Sequence, residues 1–148
     1  MVCPTTPMSQ KANLGNVADL GVCLPFRIPH LYGGLAEIQG ILRGGKEVLI
    51  LDFEMKESVL DLLSLKTNVV TIPLAEIAGL ELRKGWFSRW IVIAVNRLEA
   101  LRQVPGSKAG EIRLKIGRKH TATAEEFVSR VQMALTTHGL KKLINDME

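Results

Sequence analysis

Two β-rich runs in this chain meet at Arg83-Lys84-Gly85-Trp86-Phe87-Ser88-Arg89. Three cations and two aromatic rings inside seven residues make this the most distinctive local chemistry in the sequence. Arginine and lysine meet phosphate or carboxylate groups, and an exposed indole or phenyl ring stacks on a ligand or enters an apolar surface. The residues singled out for ligand or partner binding are Arg83, Lys84, Trp86, Phe87 and Arg89. The competing account buries Trp86, Phe87 and Trp90 as a plug at one end of the fold and leaves the cations solvated. A second basic series, Arg113, Lys115, Arg118 and Lys119, follows later. It has no interleaved aromatic residues, which single-stranded nucleic acid would want, so it reads as a solvated strand face.

No other stretch carries catalytic or metal-binding chemistry. His30, His120 and His138 are scattered, with no His-Glu-x-x-His pattern and no carboxylate pair at ligand spacing. No Gly-x-Ser-x-Gly elbow occurs. The run from Gly40 to Lys46 matches the start of a phosphate-binding loop. Glu47 stands where that loop needs Ser or Thr, and a strand follows instead of a helix, so a hairpin turn is the better reading. The expectation is a protein that is not an enzyme and that needs no cofactor and no metal.

The strands around the aromatic turn are the elements that must position it. Residues 77–84 alternate, with Leu80 and Leu82 inward and Glu81 and Arg83 outward. Residues 90–95 are β-branched and apolar, as a buried strand requires. Residues 35–42 and 47–55 read as a hairpin about Gly44-Gly45. The stretch 58–65 fits a helical turn or a short strand equally well. Residues 69–74 form a strand that Pro73 places at an edge, and 111–116 alternate cleanly. Thr123 and Glu126 spell a capping box for a helix over 123–138, with Gly139 as its stop. Residues 1–30 hold Pro4, Pro7, Pro25 and Pro29. They read as a flexible tail followed by an extended arm over 24–29. The expected organisation is therefore a tail and arm over 1–30, a β domain with its closing helix over 31–139, and a short extension over 140–148.

Sequential strands with short turns and no βαβ alternation favour an antiparallel sheet. Ile72-Pro73-Leu74-Ala75-Glu76-Ile77 leads into Leu80-Glu81-Leu82, and a last strand then runs into the helix. In these features residues 34–138 resemble a bacterial pleckstrin-homology-like (PH-like) or GRAM-type domain. The resemblance implies a small antiparallel barrel, or a strongly bent sheet, capped by a helix. It also implies binding of lipids, peptides or proteins without catalysis. Lipid-binding members carry a basic cluster in the first hairpin loop, and only Arg43 and Lys46 stand there, so phosphoinositide binding at that loop is not expected.

Composition sets the outer limits. At 148 residues, 47% of them apolar, the chain can build one sizeable core. The net charge is +4, divided as −3 over residues 1–82 and +7 over 83–148, which suits an anionic partner for the second half. No apolar run reaches the length of a membrane span, and the amino terminus lacks the pattern of a secretory signal. Cys3 and Cys23 are expected to be free thiols in a reducing compartment. Together these features give a cytoplasmic binding or interaction module with an unknown protein partner. Peripheral attachment to anionic membranes is the alternative. Nucleic acid is not expected. Self-association is open through the edge near Pro73 or the arm at 24–29.

Overall fold

The computed structural model describes residues 19–45, 47–57 and 66–147. Seven strands form one antiparallel sheet: β1 (Asp19–Leu31), β2 (Ala36–Gly45), β3 (Val48–Glu57), β4 (Lys66–Pro73), β5 (Ile77–Lys84), β6 (Arg89–Val95) and β7 (Glu111–Ile116). Among the described residues one α-helix, α1 (Thr121–Asp146), follows. The strand order is β4-β3-β2-β1-β7-β6-β5. The sheet is mainly hairpins in sequence and open at β4 and β5.

That order forces a strong bend. β4 and β5 are opposite edges of the sheet, yet only the 3-10 turn Leu74–Glu76 joins them. Laid flat, seven strands would separate these edges by about 29 Å. The four peptide steps from Pro73 to Ile77 reach at most about 14 Å. The sheet therefore curls until its edges approach. The Leu74 amide donates to the Glu47 carbonyl at 2.9 Å and the Asn96 amide to the Glu76 carbonyl at 2.8 Å, which pins the corner.

Curling turns one face of every strand inward. Leu24, Leu42 and Leu51 sit in one cross-strand row, and all are fully buried. Ile91, Ile93, Ile112 and Leu114 supply the opposite wall. The helix adds Ala124, Phe127, Val128 and Val131 to the same cluster. The Gln132 side-chain amide donates to the Leu80 carbonyl at 2.8 Å and ties α1 to β5.

Several sequence expectations need correction. The stretch read as an arm, 24–29, belongs to β1, an interior strand between β2 and β7. Its own period-two pattern, Leu24, Phe26 and Ile28, is buried and outweighs the prolines. The prolines fall where pairing is thin. β1 meets β7 at the single register pair Arg27↔Lys115, and the β1–β2 register shifts between Ile28 and Leu31, around Pro29. An interior strand has no free edge, so this segment does not offer one to a second copy.

The helix starts earlier and ends later than expected. A 3-10 turn over Arg118–His120 winds the chain into α1 at Thr121, so Thr123 is already inside and makes no cap. The Thr121 hydroxyl instead donates to the Arg118 carbonyl at 2.8 Å. Gly139 lies within the helix, and 140–146 continue it. A single Gly costs roughly 1 kcal/mol in a helix, and the helix formers Leu140, Lys141, Lys142 and Leu143 carry it through. Cys23 is buried and disulfide-bonded, not free. Cys3, Lys46, the tail over 1–18 and the segment 58–65 lie outside the described residues.

Candidate functional site: the basic, aromatic end of the sheet

The β5–β6 hairpin closes with Lys84 paired to Arg89. The Gly85 amide donates to the Ser88 carbonyl at 2.7 Å, so four residues complete the turn. This tight closure leaves the two central side chains nowhere to fold back. Trp86 is 89% exposed and Phe87 87% exposed, the largest exposures among the bulky apolar residues described. They do not plug the sheet.

The flanking residues divide by face. Ile91 and Ile93 point into the core, so Arg89 shares their inward parity at the rim of the sheet and is half-buried. Among the described residues, its Nε and Nη1 find no hydrogen-bond partner. Trp90 has the opposite parity and lies on the outer surface. Its indole N–H donates to the Ser88 hydroxyl at 2.9 Å, and the Lys115 ammonium stands 5.9 Å from its ring centre. The indole ring and Lys115 thus brace each other on the outer face.

Arg83 and Lys84 are exposed. The Arg83 guanidinium donates to Glu81 at 2.7 Å through Nε and meets the same carboxylate at 2.6 Å through Nη2. Lys84 pairs with Glu125 in the first turns of α1. Each of these side chains is about half-exposed, and exposed pairs of this kind contribute little and exchange readily for other anions.

The second basic series, expected to be a separate solvated face, is partly joined to the first. Arg89 pairs with Ile116 across β6 and β7. Chain past Ile116 therefore emerges beside the aromatic turn, and Arg118 and Lys119 are both exposed there. Both strands were readable in the sequence, 90–95 as an apolar β-branched run and 111–116 as a clean alternation. Their relative register depends on tertiary pairing, which no local pattern supplies.

The histidines do not converge. His30 lies at the end of β1, His120 in the 3-10 turn before α1 and His138 within α1. Among the described residues, no three His, Cys, Asp or Glu side chains gather as metal ligands, and no helix is long and apolar enough to cross a membrane. Among the described residues, one carboxyl has a displaced pKa. The hydrogen bond from Arg27, and then that from Gln39, hold the Glu37 pKa below its ordinary value, with the Arg27 Nη2 at 2.8 Å and the Gln39 Nε2 at 2.9 Å. This pair sits on the outer face of β1 and β2, where Arg27 is paired in register with Lys115, the residue that stands over Trp90.

Comparison with protein families, with curated proteins and with solved structures gives no match.

Proposed function

We propose that this protein is a non-catalytic binding module of PH-like type, which engages its partner through the β5–β6 turn with Arg83, Lys84, Trp86, Phe87 and Arg89. The observation that carries the reading is the near-complete exposure of two adjacent aromatic side chains on a tightly closed hairpin. Large aromatic rings are enriched at the centres of interfaces, where they contribute most of the binding energy. A protein that keeps two of them in water forgoes their burial in its own core. An open, curled antiparallel sheet followed by one packed helix is the arrangement the family resemblance implies.

The test is the double variant Trp86→Ala/Phe87→Ala. Its melting temperature should stay within about one degree of the parent, because exposed positions contribute little to stability. Capture of partners from native lysate, compared by mass spectrometry, should lose a set of proteins or membrane fragments that the parent retains. A fall of many degrees, or an unchanged set, sinks the reading.

A further inference from the structure

We infer that the partner of this end of the molecule is a bilayer surface rich in anionic lipid. The inference rests on the binding reading above and names the chemistry that fits it. The register pair Arg89↔Ile116 and the ion pair between Lys84 and Glu125 bring three segments to one end of the sheet: the aromatic turn, the chain after β7, and the first turns of α1. Six cations gather there: Arg83, Lys84, Arg89, Lys115, Arg118 and Lys119. Among the described residues, the ion-paired carboxylates of these three segments are Glu81, Glu125 and Glu126. Arg83 and Lys84 engage the first two, and Arg130 engages the third at 2.7 Å. The balance is therefore positive around a protruding apolar tip.

That combination has a specific physical consequence. Aromatic side chains partition to the boundary between headgroups and acyl chains. Basic residues beside them gain from the negative surface potential of anionic leaflets, within a Debye length of the surface. The exposed ion pairs of Arg83 and Lys84 can give up their carboxylates for lipid phosphates at small cost. At a folded protein partner the rings would instead sit in a patch whose core is depleted of charge, lysine included, with the polar groups at its rim. Two rings on a projecting hairpin are better suited to insertion than to such a patch.

The experiment uses the full chain and vesicles of phosphatidylcholine, with and without phosphatidylserine. Trp90→Phe leaves Trp86 as the only tryptophan, so its emission reports the tip alone. Co-sedimentation should require phosphatidylserine and fade as salt rises, and Trp86 emission should shift to the blue on binding. Trp86→Ala/Phe87→Ala should weaken vesicle binding about tenfold or more. Arg118→Gln/Lys119→Gln should weaken it by about tenfold to thirtyfold, at about one kilocalorie per basic residue near the surface. No sedimentation at low salt, or equal binding without phosphatidylserine, overturns the inference. If vesicles fail while lysate proteins are still lost from the Trp86→Ala/Phe87→Ala variant, the binding reading stands and only the membrane assignment falls.

Discussion

Gly40 shows at the scale of one residue what the curled sheet demands. A Cβ built there would stand 2.7 Å from the Phe53 Cβ, 2.8 Å from the Phe26 ring tip, and closer still to the Asp52 carbonyl. The Phe26 ring, the Phe53 Cβ and the Asp52 carbonyl close over a position that only glycine fits. Gly40→Ala should destabilise the protein by about 1–3 kcal/mol, the usual cost of overpacking, read from urea unfolding. A neutral result would mean that β2 and β3 can separate there without penalty. Glu37 gives a second prediction at this scale. Its pKa is lowered in the fold, so the stability it contributes is complete above the ordinary glutamate value of 4.5. That contribution is lost as pH falls through the lowered value. Melting temperature measured down a pH series should drop less steeply in that acid range for Glu37→Gln than for the parent. The difference should be small and salt-sensitive, because Arg27 is more than half exposed and such pairs are screened. The residues of the aromatic turn were legible from type and spacing alone. Their exposure was not, because burial depends on how tightly the hairpin closes.

At the scale of elements, α1 carries two apolar faces. At 3.6 residues per turn, the buried Phe127, Val128 and Val131 lie on one side. The exposed Met133, Leu140, Leu143, Ile144 and Met147 lie on the other. The apolar periodicity of 127–135 was readable in the sequence and packs as expected. The second stripe, beyond Gly139, was read as a separate extension because glycine so often ends a helix. Here the helix simply outruns the sheet it packs on. The two faces should respond differently to truncation. Phe127→Ala should cost about 3–5 kcal/mol, as filled core positions do, while Leu143→Ala should stay within about 0.5 kcal/mol. Equal costs at the two positions would show that the outer stripe is covered in solution. The strands tell a similar story. Residues 77–84 and 111–116 were found to the residue, because 111–116 alternate cleanly and 77–84 alternate from Leu80 onward, past a register shift between Ile77 and Gly79. β1 was missed as a strand because Pro25 and Pro29 weigh against a ladder locally, whereas its buried face is decided by β2 and β7.

The whole molecule poses the question of closure. A barrel and a curled open sheet share strands, helix and core, and differ only in whether β4 and β5 pair. The order β4-β3-β2-β1-β7-β6-β5 leaves these two as edges, and the corner at Leu74–Glu76 holds them near each other without a ladder between them. The antiparallel class and the closing helix could be argued from the alternation of strands and the absence of βαβ spacing. Openness could not, since it turns on a few residues at one corner. Hydrogen exchange decides it. Amides in the interior strands, such as those of Leu24, Leu42, Ile91 and Leu114, should exchange only through global unfolding. Outward-facing amides of β4 and β5 should exchange far faster through local fraying, and those of 140–146 in the overhanging helix should be similarly quick. If β4 and β5 proved as slow along their full length as β1, a ladder would have to join them, and the sheet would be a closed barrel whose mouth α1 covers.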